Sequence, residues 1–191
     1  MKKQENKREK IDHIDLHYSM CKAYLRGNIQ DVFNSYYGLS TFSNDAMKNG
    51  IEIHEEIAKK KIKLFDGMGE CDWEFKKSIE LTPNITYTGT VDCIDWGNKI
   101  IYDWKSGTTD VNKIDPMQLY CYSLLFEDIK EGRMVKVERV PGHKAIRYGD
   151  WVIYQVTKSK QDKARNWLET LGLEIMNVLN NLDEKEGEIK W

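Results

Sequence analysis

The sequence is poor in the features that mark specialised environments. Its four cysteines, Cys21, Cys71, Cys93 and Cys121, stand singly, with no C-x-x-C pair. That pattern argues against a disulfide framework and gives no zinc or iron–sulfur spacing; it points to reduced, packing thiols in a cytoplasmic protein. No apolar run approaches the roughly 18 residues that cross a bilayer, so no membrane partner is expected. The opening MKKQENKREK has charge but no apolar stretch behind it, unlike a secretory signal. An excess of one charge is also missing, since 29 basic and 31 acidic residues leave a formal net charge of −2. The lysines gather only locally, at Lys59, Lys60, Lys61 and Lys63 and again between Lys158 and Arg165. Net charge therefore neither favours nor excludes a nucleic-acid partner.

What is present describes a folded domain. Forty per cent apolar and 31% charged residues exclude a disordered chain, and 191 residues suffice to bury a core. Residues 1–10 form a charged tail expected to fray. The spacing of Ile14, Tyr18, Cys21 and Leu25 predicts a helix from Ile11 to Leu25. Residues 29–44 give no clear pattern. Ser43-Asn44-Asp45 offers a cap for a helix from Asp45 to Phe65, with Met47, Ile51, Ile57, Ala58, Ile62 and Phe65 as its apolar stripe. His54 shares that face.

After a break at Asp66-Gly67-Met68-Gly69, the alternation in residues 72–81 predicts a strand. Two further strands, Ile85–Ile94 and Lys99–Trp104, form a hairpin around Asp95-Trp96-Gly97-Asn98. A helix apolar nearly all round follows Asp115-Pro116 and should be buried. Strands at Met134–Val140, before Pro141-Gly142, and at Asp150–Thr157 precede an amphipathic helix, Ser159–Leu182. Its stripe is Ala164, Leu168, Leu171, Ile175, Val178 and Leu182. With no repeat and no linker, the reading is one α/β domain over residues 1–191.

The hairpin carries the chemistry. Asp103 and Lys105 share one strand face, and Trp104 points oppositely. With Asp95 opposite Asn98, Asp92 pairs with Ile101 and lies diagonally from Asp103, about 7–8 Å away. A three-residue turn with a bulge would break this parity. Two carboxylates on one face are unfavourable without a cation between them. Hard oxygen ligands with open positions suit Mg²⁺ or Mn²⁺, which polarise phosphoryl oxygens and acidify bound water. A lysine beside them can stabilise charge developing on a phosphate. The competing reading is an exposed hairpin with ordinary Asp–Lys pairs. Ile100, Ile101 and Tyr102 oppose it, because they put Asp103 at the end of an apolar strand.

Taken together, Gly89-x-Val91-Asp92, Tyr102-Asp103-Trp104-Lys105-Ser106-Gly107, Gln118-x-x-x-Tyr122 and the upstream helical His54 resemble the RecB-like branch of the PD-(D/E)XK nuclease superfamily. The likeness covers roughly residues 50–125. It implies a restriction-endonuclease-like core, a central mixed β-sheet flanked by helices. By position it implies that Asp92 and Asp103 ligate one or two Mg²⁺ or Mn²⁺ ions. His54 and the Trp104 carbonyl would be further ligands and Lys105 the catalytic lysine, while Gln118 and Tyr122 would contact DNA or steady the site. The cysteines do not match the four that hold an iron–sulfur cluster in some relatives, so no cluster is expected. On the residues alone, other readings stand. His54 and Tyr122 fit core positions, and Gln118 fits the N3 place of a capping box begun by Asp115 and Pro116.

The activity this resemblance implies is a metal-dependent DNA exonuclease acting on single strands or ends, in recombination, repair or replication, of cellular, viral or phage origin. DNA would be its partner, within a recombination or replication complex, and its place the cytoplasm, or the host cytoplasm if viral. Three alternatives stay open. One is the cap-snatching RNA endonuclease domain of a viral polymerase, which the Gln118/Tyr122 pair argues against. The others are a catalytically silent nucleic-acid-binding module and an accessory subunit of a nuclease complex.

Overall fold

A computed structural model describes residues 10–39, 45–107, 110–140 and 145–186. The elements in chain order are β1 (Ile14–Leu16), α1 (Tyr18–Leu25), α2 (Ile29–Tyr36), α3 (Asp45–Lys60), β2 (Cys71–Thr82), β3 (Ile85–Asp95) and β4 (Ile100–Lys105), then α4 (Met117–Ser123), β5 (Glu131–Arg139), β6 (Ile146–Gln155) and α5 (Lys158–Glu186). The six strands form one sheet in the order β1-β3-β4-β5-β6, with β2 also on β3. The β1/β3 and β4/β5 pairs are parallel and the others antiparallel, so the sheet is mixed. This is the α/β, restriction-endonuclease-like architecture that the motifs implied.

Helices cover both faces because β4 is apolar on both. Ile101 points into a core shared with α1, α4 and α5, built on Leu16, Tyr87, Cys121 and Leu168. Tyr102 and Trp104 point the other way, into a smaller core under α3 with Ile53, Ile57, Val135 and Val137. Such two-sided burial is what a strand followed by a parallel neighbour requires.

The position of the site is set by how β3 shares its edges. Along one edge it pairs with the whole of β2. On its other edge β1 takes only Ile85–Tyr87 and β4 only Cys93–Asp95. Among the described residues, no strand pairs with Thr88–Asp92 on that edge, which leaves a slot in the sheet. Side chains close its ends: His17 Nδ1 lies 3.2 Å from the Thr88 carbonyl, and Trp104 N–H donates to Asp92 Oδ2 at 2.6 Å.

The structure departs from the sequence expectations in places that have physical causes. The helix expected over Ile11–Leu25 begins at Tyr18, and Ile14–Leu16 is a strand. Ile14 and Leu16 are fully buried while Asp15 is exposed, a period of two that the longer helical pattern hides. The unclear stretch after Gly27 contains α2, whose first turn is capped by Asn28 accepting from Asp31 N–H. Helix α3 stops at Lys60 rather than Phe65, because Lys61 takes φ 50° and its amide turns back to Ala58. Its buried face runs through Ile53 and Ile57, whereas Ile51 is exposed. Helix α4 is likewise short, ending at Ser123. The stripe of α5 passes through Met176 and Leu179, leaving Val178 and Leu182 half-buried. Residues 1–9, the cap at Ser43-Asn44, the side chains of Asp45 and Met47, and Pro141-Gly142 lie outside the described residues.

Candidate active site

The hairpin turn decides whether the acidic residues share a face. Cys93 pairs with Tyr102, Ile94 with Ile101 and Asp95 with Ile100, leaving four residues, 96–99, in the turn. Asp95 closes it. Its buried carboxylate accepts from Gly69 N–H and Asn98 N–H, each at 2.9 Å, and from the Asn98 side chain at 2.8 Å. Burial alone would raise this carboxyl, yet these donors hold it below its usual range. The even turn keeps the expected parity but moves the register by two residues. Continued one step, the register sets Asp92 directly opposite Asp103 instead of opposite Ile101. The diagonal geometry expected from the sequence is thereby corrected.

The ladder does not take that step with backbone hydrogen bonds. At the slot the Asp92 carboxylate, not a β3 carbonyl, accepts the Trp104 amide. The N–H and C=O of a strand residue point to the same edge, so the Trp104 carbonyl also lies on the slot side. On β2, Trp73 pairs with Cys93 and Phe75 with Val91, which sets Glu74 opposite Asp92. Glu74, Asp92 and Asp103 thus form one row across three strands. Glu74 sits at φ 50°, a left-handed conformation that non-glycine residues seldom adopt within a strand.

From α3, His54 Nδ1 approaches Asp92 Oδ1 at 3.3 Å. One ligand atom each from His54, Glu74 and Asp92 lies within 4.8 Å of the others. Burial pulls His54 down, but the hydrogen bond and charge of Asp92 more than reverse this, and the imidazole stays protonated above its usual range. Although Glu74 is exposed as a residue, desolvation at its carboxyl and the Asp92 charge hold it above its usual range. Glu74 is the residue the sequence reading missed. Its only signal there was its place in the alternation of D-W-E-F, which any solvent-facing strand residue shares.

Asp103 is 2% exposed, and its partner on β5 is the fully buried Met134. Lys105 Nζ stands 2.7 Å from Asp103 Oδ2. The contact is off hydrogen-bond geometry, so that oxygen is buried without a hydrogen-bond partner. Burial pushes the Asp103 carboxyl up to about 7; the Lys105 charge opposes this and the Asp92 charge adds to it. A buried carboxylate oxygen whose close polar neighbour is the off-axis Lys105 ammonium, beside a second carboxylate, keeps lone-pair capacity that a further cation would use.

Lys105 is held from the far side. Its Nζ donates to Gln118 Oε1 at 2.8 Å, and Gln118 Nε2 donates to the Tyr122 hydroxyl at 2.8 Å. An ammonium only donates, which fixes the amide orientation. The capping-box reading of Gln118 is corrected here: Asp115 Oδ1 alone takes the Met117 amide, at 2.9 Å, and both ends of Gln118 are engaged elsewhere. Burial keeps the Tyr122 phenol protonated far above its usual range. Its ring sits where a Cβ on Gly89 would approach Tyr122 carbons at 3.0 Å and Leu125 at 2.9 Å. The glycine of Gly89-x-Val91-Asp92 is therefore what lets α4 close on β3 and bring Gln118 to Lys105.

All seven residues singled out from the sequence lie around the slot, in two groups. His54 and Asp92 join Glu74 on one side; Asp103, Lys105, Gln118 and Tyr122 form a relay on the other, and Trp104 joins them. The donor set suits a hard divalent cation, and the Asp103 oxygen, ion-paired with Lys105 but without a hydrogen bond, offers that cation a lone pair.

The same fold occurs in solved exonuclease structures. The alkaline exonuclease LHK-Exo of Laribacter hongkongensis is 11% identical, with 95% of this chain and 96% of that chain covered and a TM-score of 0.57. Its complex with dAMP gives 13% identity, coverage of 92% and 94%, and a TM-score of 0.58. A phage-related exonuclease from Haemophilus somnus 129PT is 16% identical over 84% of this chain and 83% of its own, with a TM-score of 0.56. No family model and no curated protein matches the sequence. At these identities the likeness shows the fold alone, a mixed sheet flanked by helices of the restriction-endonuclease-like kind. No helix among the described residues is long and apolar enough to cross a membrane.

Proposed function

We propose that this chain is a divalent-metal-dependent deoxyribonuclease, an exonuclease that hydrolyses phosphodiester bonds of single-stranded DNA or of DNA ends. The observation that carries this reading is the row Glu74–Asp92–Asp103 at the open slot, flanked by His54 and Lys105. Asp92, Asp103, Glu74, His54 and the Trp104 carbonyl would hold Mg²⁺ or Mn²⁺. When bound, the ion would supply a polarised phosphoryl oxygen and a water of lowered pKa. Lys105, aimed by Gln118 and Asp103, is placed to stabilise negative charge on the phosphate or to orient the attacking water. Tyr122 holds Gln118, which makes both of them positioning residues in this reading. Exonuclease activity in the fold neighbours supports a DNA substrate. The natural context would be recombination, repair or replication.

The test is digestion of end-labelled DNA and RNA, single- and double-stranded, linear and circular, with Mg²⁺ or Mn²⁺. Loss of linear DNA from its ends, stopped by EDTA and restored by Mn²⁺, is the expected result. Cleavage of RNA alone would instead favour the viral RNA endonuclease reading. Degradation undiminished by EDTA would remove the metal from the mechanism.

A further inference from the structure

The edge strand β6 carries a built aromatic surface that the slot does not use. Val135 pairs with Trp151, and Val137 with Tyr148, so Lys136 alone faces both Gly149 and Asp150. That is a bulge with the extra residue on β6. Tyr148 and Trp151 are three residues apart and would point to opposite faces of a regular strand. The extra residue turns both to the α3 side, where they meet Phe65. Ring centroids are 4.5 Å apart for Phe65–Tyr148, 5.4 Å for Phe65–Trp151 and 5.8 Å for Tyr148–Trp151. The cluster is exposed, with Tyr148 at 40% and Trp151 at 46%.

The rings continue inward to the catalytic strand. Phe65 stacks on Tyr102 at 5.8 Å, and Tyr102 stacks on Trp104 at 5.3 Å. The Arg133 guanidinium lies over both Tyr102 and Phe65, at 5.5 and 6.0 Å from their centroids. The half-exposed platform thus packs onto the strand that bears Asp103, two strands away, on the order of 10 Å, and on the sheet face opposite the Asp103 side chain. Arg147, beside Tyr148, is 60% exposed and pairs with Glu138 at 2.8 Å, as Arg133 pairs with Glu131.

We infer that Tyr148 and Trp151, with Phe65 and the Arg133 and Arg147 guanidiniums, form a stacking platform for unpaired bases of single-stranded DNA entering or leaving the slot; this rests on the nuclease reading above. Aromatic faces with interleaved cations suit flat, sequence-independent contact with bases and phosphates. A second copy of this chain adding to the β6 edge is the competing occupant. The bulge and the exposed Arg147 and Asp150 argue against it, since these are the devices that keep sheet edges from pairing.

The experiment is fluorescence anisotropy of full-length protein in EDTA, where nothing is cleaved, with labelled oligothymidylate and with the same sugar–phosphate backbone lacking bases. Tyr148→Ala/Trp151→Ala should weaken oligothymidylate binding at least tenfold and leave the abasic strand unaffected. Trp151→Phe with Tyr148 intact should retain most of the affinity, and Leu173→Ala, at an exposed apolar position on α5, should change nothing. Circular dichroism and sedimentation accompany each variant. If wild type binds and the folded double variant binds equally well, the platform is wrong and the nuclease reading survives. If wild type binds no nucleic acid of any kind, the nuclease reading falls first. If the double variant instead converts a dimer to a monomer, the face is a protein interface and the inference is overturned.

Discussion

Asp95 and Asp103 lie on the same hairpin, both almost without solvent exposure, and live in opposite circumstances. Asp95 receives three N–H donors and is held ionised below its usual range. Asp103 has an oxygen without a hydrogen-bond partner and is pushed up to about 7. The first is a structural carboxylate whose charge is fully used by the fold. The second is a carboxylate balanced by the Lys105 ammonium at 2.7 Å but given no hydrogen bond on that oxygen. Low solvent exposure alone does not separate the two roles; what separates them is whether hydrogen-bond donors of the fold saturate the carboxylate.

The sharpest way to break the comparison is to neutralise each in turn. Asp103→Asn should lower cleavage on the order of a thousandfold, measured as single-turnover rate on end-labelled DNA, because it removes a charge that would bind metal. Its stability should move the other way. A carboxyl raised from its ordinary 3.8 to about 7 retains a proton in the folded chain that the unfolded chain has lost. Stability therefore falls as pH rises between those values, by on the order of 4 kcal/mol at most. The raised His54 adds a loss of the same sign above its ordinary 6.5. In EDTA, wild type should melt higher at pH 5 than at pH 8, and Asp103→Asn should flatten that difference. An identical pH slope in both proteins would show that Asp103 is not the group responsible.

Asp95→Ala should act through the fold. It strands the amides of Gly69 and Asn98 and costs about 3 kcal/mol in denaturant unfolding. Asp95 contributes stability of the opposite pH sign, present above its ordinary 3.8 and lost only as pH falls through its lower folded value. A variant as stable as wild type would mean that the four-residue turn is held by something other than this carboxylate. One step smaller, Gln118→Ala should leave melting nearly unchanged while lowering kcat ten- to a hundredfold, since Lys105 would lose its acceptor but not its charge. Unchanged kcat would return Gln118 to a packing role.

The comparison also shows which parts of the site can be read without coordinates. Asp92, Asp103 and Lys105 were legible because strand alternation is fixed by covalent geometry, and an even turn preserves it. The register was not, because Asp95 and Asn98 look like turn ends, whereas the Asp95 side chain bonds around the turn and lengthens it. Glu74 was invisible: its membership depends on a pairing between β2 and β3 and on a left-handed φ, neither of which local sequence encodes. The three-residue β1 was masked by helical spacing, and its strand conformation is fixed by a parallel partner some 70 residues away. The choice between cap and relay for Gln118 needed Gly89, whose missing side chain lets α4 approach the sheet.

The smallest effects should come from the partners of Asp92, and they separate ligand from scaffold. His54→Ala removes one neutralisable ligand and should weaken Mn²⁺ binding, followed by calorimetry, about tenfold, or 1.4 kcal/mol. Glu74→Gly removes another while releasing the φ 50° backbone, to which glycine is indifferent. Metal affinity should fall by a similar factor, with unfolding stability unchanged or raised by less than about 1 kcal/mol. Such a pairing, a weaker site on an equal or firmer fold, is what a residue held strained for its ligand oxygen must give. Should Glu74→Gly lower stability and leave Mn²⁺ affinity untouched, the strain would belong to the strand, and the row across the sheet would shrink to the two aspartates opposite each other at the slot.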